Sequence, residues 1–460
     1  MISSSIFKAY DIRGIVGRTL DADTAQRIGR AFGSEARARG GDAVAVARDG
    51  RLSGPELAGA LTRGIRAAGV DVFNLGQVPT PVAYFATHEP LEGRSVNSCV
   101  VVTGSHNPPE YNGFKMVLRG AAMYGERIQA LRERIEQEDF SAGRGSYIQH
   151  DIVDAYIERI RRDIRLARPL KLAVDCGNGI AGAVAPRLFR ALGCEVRELF
   201  CEVDGRFPNH HPDPAQPENL RDVIQTLAES EAQLGFAFDG DGDRLGVVTK
   251  DGRIIAPDRQ LMLFARDVLA HYPGAPVVYD VKCTRALAPW IRAHGGVALM
   301  WKTGHSLIKA KLRETGAPLA GEMSGHLFFR DRWYGFDDAL YTAARLLEIV
   351  CRADDPGAAL NALPDALATP ELHWKLSEGE NFAIIERLQQ EGHFEGAEDI
   401  FMIDGLRAEY SDGFGLARAS NTTPAIVFRF EADNAAALAR IQRDFRRAIL
   451  AFKADAQLPF

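Results

Sequence analysis

The sequence has no run of about 18 apolar residues, no Cys-x-x-Cys pair, no block of Lys or Arg and no low-complexity stretch. Each absence removes a class of function. Without a long apolar run there is no candidate membrane-spanning helix. The six cysteines, Cys99, Cys176, Cys194, Cys201, Cys283 and Cys351, are scattered over more than half of the chain. They offer neither zinc nor redox spacing, so free thiols are expected. A formal net charge of −6, with no basic stripe interleaved with aromatics, gives no general attraction to nucleic acid. An anionic ligand would need a local basic pocket. The opening Met1-Ile2-Ser3-Ser4-Ser5-Ile6-Phe7-Lys8 lacks the basic start and apolar core of a signal peptide, which makes the cytoplasm the expected location. Small molecules are the expected partners, and a monomer the expected state.

What is present is the composition of a globular protein, 46% apolar and 25% charged, on a chain of 460 residues, long enough for three or four domains. Three stretches repeat one pattern of apolar strand, helix, glycine and second apolar strand. The first runs from Val44-Ala45-Val46-Ala47 through a helix starting at Ser53 to Gly69 and then Val70 to Leu75. The second runs from Leu172-Ala173-Val174 through a helix spanning Ala183 to Leu192 to Gly193 and then Cys194 to Leu199. The third runs from Val277-Val278-Tyr279 through a helix spanning Arg285 to His294 to Gly295-Gly296 and then Val297 to Trp301. Each glycine stands where a left-handed helix terminus is wanted, and Ser53 with Glu56 has the spacing of a capping box. A strand–helix–strand unit implies parallel pairing, since parallel strands require a crossover. Beyond Pro364 and Pro370 the pattern changes to antiparallel strands, Phe401 to Tyr410 and Ala425 to Glu431, closed by an amphipathic helix from Asn434 to about Phe452. The expected fold is three similar mixed-sheet α/β domains, over residues 1–150, 151–254 and 255–367, plus a smaller C-terminal α+β domain over 368–460, around a central cleft.

Four loops carry candidate chemistry. Thr103-Gly104-Ser105-His106-Asn107-Pro108 follows the apolar run Val100-Val101-Val102, which places Ser105 on an exposed loop at a strand's carboxyl end, where open α/β sheets bind ligands. Ser105 beside His106, with Lys115 downstream, can be a nucleophile with basic help or simply a polar turn. No G-x-S-x-G elbow is present, which argues against a hydrolase triad. Asp239-Gly240-Asp241-Gly242-Asp243-Arg244 lies between the runs Leu234–Phe238 and Leu245–Val248. Its carboxylates at every second position can converge on one hard cation such as Mg²⁺, against the simpler reading of a solvated acidic turn. It is not an EF-hand loop, because Arg244 and Lys250 stand where glycine and glutamate are required. Gly321-Glu322-Met323-Ser324-Gly325-His326 has the acceptors, hydroxyl and imidazole that suit sugar hydroxyls. Arg418-Ala419-Ser420-Asn421-Thr422 gathers a guanidinium and three hydrogen-bonding side chains, enough to hold a phosphate.

In this order the four loops resemble the phosphoserine, metal, sugar-specificity and phosphate-binding loops of the α-D-phosphohexomutases, in particular the phosphomannomutase/phosphoglucomutase branch. The stretch Lys8-Ala9-Tyr10-Asp11-Ile12-Arg13-Gly14 is similar to that family's amino-terminal signature, and the match spans residues 7 to 424. The resemblance implies a mutase that moves a phosphoryl group between the 1- and 6-positions of a hexose, using phosphorylated Ser105, Mg²⁺ held by Asp239, Asp241 and Asp243, and a hexose 1,6-bisphosphate as intermediate and activator. It implies that Arg244 neutralises the transferring group and that Lys115, His106 and His326 stabilise charge or move protons. It places Tyr10, Arg13, Lys282 and His305 along the binding site, Glu322 and Ser324 on sugar hydroxyls, and Arg418, Ser420, Asn421 and Thr422 on the phosphate that is not being transferred. Methionine at 323 favours the mannose/glucose branch over phosphoglucosamine mutases, and intact Ser105 with all three aspartates argues against a non-catalytic sugar-phosphate binding protein.

Overall fold

The computed structural model describes residues 2–460, so Met1 lies outside the described residues. The described chain forms two compact units, one of residues 2–260 and 324–362, the other of residues 261–323 and 363–460.

The first unit holds two large sheets and a two-stranded ribbon, Pro90–Leu91 with Arg94–Ser95. In the first, strands run in the order Ile12–Ile15, Tyr111–Leu118, Cys99–Val102, Ala43–Arg48, Asp71–Gln77, Tyr147–Gln149. Ala43–Arg48 pairs in parallel with Asp71–Gln77 and Cys99–Val102, while Tyr111–Leu118 is antiparallel to both of its neighbours. The helices Ala22–Ala38 and Gly54–Ala67 turn Ile28, Phe32, Leu57, Leu61 and Ile65 into a core shared with Val44, Val46 and Val72. The second sheet runs Glu195–Leu199, Lys171–Asp175, Leu234–Phe238, Leu245–Thr249, Ile254–Ile255, the first three strands parallel and the remainder antiparallel. Within the second unit, Val297–Trp301, Pro276–Asp280 and Leu319–Gly321 pair in parallel. A separate antiparallel sheet there, built on Ala425–Ala432, Gly413–Ala419 and Leu406–Tyr410, shares its core with the helices Glu380–Glu391 and Ala435–Leu450.

All three strand–helix–strand repeats are present, and Gly69, Gly193 and Gly295 are left-handed at the helix ends, with φ of 86°, 93° and 79°. Three local expectations need correction. Ser53 does not form a capping box. It lies in helical conformation, with φ −78° and ψ −11°, which turns its hydroxyl away from the first helical turn, and Ser53 Oγ instead accepts a bond from Asn112 Nδ2 at 2.9 Å. The helix expected from Ala183 to Leu192 is a 3₁₀ turn, Ile180–Ala183, followed by an α-helix, Ala185–Ala191, because Pro186 enforces a fresh start at its first turn. The strand expected from Phe401 to Tyr410 is two antiparallel strands, Asp399–Phe401 and Leu406–Tyr410, reversed at Gly405 with φ of 80°.

The six cysteines are all buried free thiols, as expected. Among the described residues no helix is long and apolar enough to cross a membrane.

Candidate active site

Ser105 follows the strand Cys99–Val102 at its carboxyl end, but it is not exposed: its accessibility is 2%, correcting the expectation of an open loop. Its φ of 50° is in the left-handed region, which costs a non-glycine residue on the order of 1–2 kcal/mol and so must be enforced by its surroundings. Part of that enforcement is local. Thr103 Oγ1 accepts the Ser105 N–H at 2.8 Å and donates to Asp49 Oδ2 at 2.7 Å. The hydroxyl of Ser105 is thereby directed at Asp239, donating to Oδ2 at 3.3 Å.

The three aspartates sit in the hairpin between Leu234–Phe238 and Leu245–Thr249 and are completely buried. Asp239 divides its carboxylate: Oδ1 accepts the N–H groups of Gly242, Asp243 and Arg244 at 3.0, 3.0 and 3.2 Å, which fixes the loop, and Oδ2 faces Ser105. Lys115 reaches the other two from the strand Tyr111–Leu118. The period-two alternation that puts Phe114 and Met116 in the apolar core sends Lys115 to the opposite face. Its Nζ donates to Asp241 Oδ2 at 2.7 Å and Asp243 Oδ2 at 2.5 Å, and Thr80 Oγ1 donates to Asp241 Oδ2 at 2.6 Å.

Asp241 Oδ1 and Asp243 Oδ1 have no hydrogen-bond partner among the described residues. A buried carboxylate oxygen left unbonded is costly, and buried orphans point to a ligand. Oxygen atoms of Asp239, Asp241 and Asp243 lie within 4.8 Å of one another. All-oxygen donors, one charge on each side chain and two orphaned atoms fit a hard divalent cation. Electrostatics agrees. Burial pushes the Asp239 carboxyl well up, and the charges of Asp243 and Asp241 push it further. Burial also raises Asp241 and Asp243, but the ammonium of Lys115 outweighs it and holds both below the usual carboxylate range. Three carboxylates gathered against Lys115 and Arg244 form a concentration of negative charge that a further cation would relieve.

Around this cluster, Arg244 Nε donates to His326 Nε2 at 3.2 Å, and His326 Nδ1 lies 3.0 Å from Ser324 Oγ. His326 Nε2 is also 3.4 Å from Asp243 Oδ1. Burial and the charge of Arg244 lower the His106 imidazole to about 4, against the opposing pull of Asp213, whose Oδ2 is 3.6 Å from His106 Nδ1. His106 is therefore neutral near pH 7. Arg13 bonds Asn107 Oδ1 and Asp11, which sets it beside the serine loop, and Tyr10 stands just ahead of the strand that carries Arg13. The first unit thus brings together Ser105, His106, Lys115, Arg13, the three aspartates, Arg244, Ser324 and His326.

The division between the units falls between Met323 and Ser324, so Glu322 belongs to the second unit. There Asp280, at the end of the strand Pro276–Asp280, organises two loops. Its Oδ2 accepts from Thr303 Oγ1 at 2.9 Å and its Oδ1 from the Met323 N–H at 3.0 Å. Glu322 Oε1 accepts the Gly304 N–H at 2.5 Å, ahead of His305, the first residue of the helix His305–Thr315. Lys282 Nζ donates to Glu371 Oε1 at 2.6 Å, and this ammonium overcomes the effect of burial to hold Glu371 at about 2. Arg418 is buried rather than at the surface, and its Nε donates to Asp404 Oδ2 at 2.9 Å. Beyond it, Ser420 Oγ accepts the N–H groups of Thr422 and Thr423, both at 3.3 Å, and leaves Thr422 exposed beside Asn421.

The sequence reading missed Asp49, Arg51, Thr80 and Asp213 in the first unit and Asp280, Glu371 and Asp404 in the second. The acid–base doublet Asp49-Gly50-Arg51, directly after the strand Ala43–Arg48, was the available signal for the first pair. Thr80 carries no sequence signal, since its partner Asp241 stands 161 positions away.

Models for the three α/β/α domains of phosphoglucomutase/phosphomannomutase match residues 4–142, 154–252 and 256–367, and the model for the C-terminal domain matches 350–448. The chain is 55% identical over 460 residues to a phosphomannomutase/phosphoglucomutase of Pseudomonas aeruginosa, covering all of this chain and 98% of that protein. It is 56% identical over 455 residues to a phosphoglucomutase of Neisseria gonorrhoeae, covering 97% of each. The crystal structure of a phosphoglucomutase/phosphomannomutase family protein from Burkholderia thailandensis superposes with a TM-score of 0.97 at 68% identity over the full length of both chains. Similarity of this extent over the whole chain shows that the chain belongs to the phosphoglucomutase/phosphomannomutase family.

Proposed function

We propose that this phosphohexomutase interconverts the 1- and 6-phosphates of glucose and mannose through a phosphorylated Ser105 and a hexose 1,6-bisphosphate, which also serves as activator. The observation that carries the reading is the 3.3 Å contact of Ser105 Oγ with Asp239, one of three buried aspartates two of which carry an oxygen without a hydrogen bond. In the first half-reaction the bond from phosphorus to Ser105 Oγ breaks, a bond from phosphorus to a sugar hydroxyl oxygen forms, and the hydroxyl proton passes to a side chain, for which His106 and His326 are the candidates. In the second the bond from the other phosphorus of the bisphosphate to its sugar oxygen breaks, that phosphoryl group returns to Ser105 Oγ, and the proton returns to the sugar oxygen. Lys115 and Arg244 keep positive charge beside the transferring group, where phosphoryl transfer spreads negative charge over the equatorial oxygens. Asp239, Asp241 and Asp243, with the phosphate on Ser105, would hold Mg²⁺, which supplies further positive charge at the same point. Glu322 and Ser324 read the sugar hydroxyls, while Arg418, Ser420, Asn421 and Thr422 hold the phosphate not in transfer. Tyr10, Arg13, Lys282 and His305 complete the binding groups. The reading assigns the phosphoserine, metal, sugar and phosphate loops to domains over residues 1–150, 151–254, 255–367 and 368–460.

The test is Ser105→Ala assayed on glucose 1-phosphate and mannose 1-phosphate with added bisphosphate, alongside intact-mass measurement of the wild-type chain. Turnover should fall to background with sugar-phosphate binding retained, and the wild type should carry one phosphoryl group that the variant cannot accept. Undiminished turnover in the variant would remove Ser105 from the mechanism.

A further inference from the structure

We infer that Arg51, braced by Asp49, is a positioning residue that holds the Ser105 loop in its transfer geometry. The inference rests on the phosphoserine reading above and goes beyond it, because Arg51 touches none of the groups assigned a role there except through the loop backbone. Arg51 is 1% exposed, the extreme of burial for an arginine, and its guanidinium is spent almost entirely on loop carbonyls. Nη1 donates to Pro108 O at 2.6 Å and Tyr111 O at 2.9 Å, while Nη2 donates to Ser105 O at 2.8 Å and to Asn107 O. Four carbonyls between residues 105 and 111 therefore converge on one planar cation. The anchor is held in turn: Asp49 Oδ1 accepts the Arg51 N–H at 2.9 Å, and Asp49 Oδ2 lies 3.3 Å from Arg51 Nε. The same Oδ2 accepts from Thr103 Oγ1 and, at 3.2 Å, from the Gly104 N–H. Phe207 covers the guanidinium at 5.3 Å from its ring centroid.

Two features show that the loop is shaped around this side chain. A Cβ on Gly104 would come within 2.4 Å of Arg51 Cζ and Nε, so glycine at 104 is the room that the guanidinium occupies. Ser105, the next residue, keeps its left-handed backbone only while its carbonyl is held on one side and its N–H on the other, by Arg51 and by the Asp49–Thr103 pair respectively. A lysine cannot substitute, because a single ammonium carries three donors at one point whereas the guanidinium presents a rigid planar fork. With the fork lost, Ser105 Oγ is free to wander from its approach to Asp239, and a misplacement of about 1 Å at a reacting atom costs about 100-fold in rate.

The experiment compares Arg51→Lys and the near-isosteric Thr103→Val with wild type, using glucose 1-phosphate as substrate and calorimetric titration with Mg²⁺. For Arg51→Lys, kcat should fall about 10- to 100-fold, with KM and the Mg²⁺ dissociation constant each within about twofold of wild type. Thr103→Val should shift kcat the same way by a smaller factor, and Asp49→Asn, which weakens the brace on Arg51 Nε, decides the matter if Arg51→Lys does not fold. Wild-type kcat in the folded variants overturns the inference. So does a parallel loss of kcat, KM and Mg²⁺ affinity, which is the pattern of a generally loosened fold. Ser105→Ala separates the two readings: if it is inactive while Arg51→Lys turns over normally, only the positioning role fails, whereas an active Ser105→Ala removes the phosphoserine reading itself.

Discussion

At the residue scale, the structure divides single side chains between separate tasks, and that division is what the linear sequence conceals. Asp241 is one case: Oδ2 is taken by Lys115 and Thr80, Oδ1 is left without a hydrogen bond. Thr80 also donates its N–H to Asp241 O at 2.9 Å, so one threonine fixes both the backbone and the carboxylate of a proposed ligand. Loss of a group that orients a metal ligand typically weakens the metal 10- to 100-fold. Thr80→Val, which keeps the volume, should weaken Mg²⁺ by about that factor in a calorimetric titration, and unchanged affinity would assign Thr80 to packing alone. The acidic loop was legible, since three aspartates at alternate positions are a local pattern. Thr80 and Lys115 stand 161 and 126 positions away from Asp241, and no local pattern announces a partner at that distance. The burial of Ser105 was misread for the same reason, because what covers a loop is contributed from elsewhere in the chain.

At the scale of elements, the strand–helix–strand repeats were legible because periodicity and a left-handed glycine are both written in short windows. The strand Gly413–Ala419 was not. Its glycines weaken the strand pattern, yet Gly415 is required where it stands, since a Cβ there would come within 2.3 Å of Phe445 from the helix Ala435–Leu450. The segment between the strands Glu195–Leu199 and Leu234–Phe238 has no such signature either, and it ties the second sheet to the serine loop. His211 Nε2 bonds His106 O, and the neighbouring His210 is bound at both ring nitrogens, Nε2 at 3.0 and 3.1 Å from the oxygens of Asp175 and Nδ1 at 3.0 Å from His211 O. Burial lowers the His210 pKa, but the hydrogen bond and charge of Asp175 outweigh it and raise it above 6.5. A raised folded value means that the folded state holds the proton more tightly. The contribution to stability is fully present below about pH 6.5 and disappears as pH rises through the raised value. Urea midpoints of the wild type should therefore fall across that window more than those of His210→Gln, and parallel profiles for the two chains would show that His210 does not carry the proton.

At the scale of the whole molecule, the order of the four loops was legible and the compact units were not, since the units cut the chain at 260, 323 and 362 and join segments distant in sequence. Composition along the chain has no means of recording such a return. The cysteines lend themselves to a whole-molecule experiment. Every thiol is buried, and burial pushes those of Cys176 and Cys194 above their ordinary values, which keeps them protonated and unreactive. Cys99 lies in the middle of the first sheet between two paired strands, while Cys194 and Cys201 flank the outermost strand of the second, with accessibilities of 5% and 9%. Maleimide labelling in rising urea, mapped by peptide mass, should find the native chain silent and should reach Cys194 and Cys201 before Cys99. Labelling of Cys99 first would reverse the stability order drawn from burial. Since Cys283 and Cys351 report on two further segments, the chain carries its own set of time-stamped unfolding probes over residues 99–351, and no engineered label is needed to ask which part of the enzyme opens first.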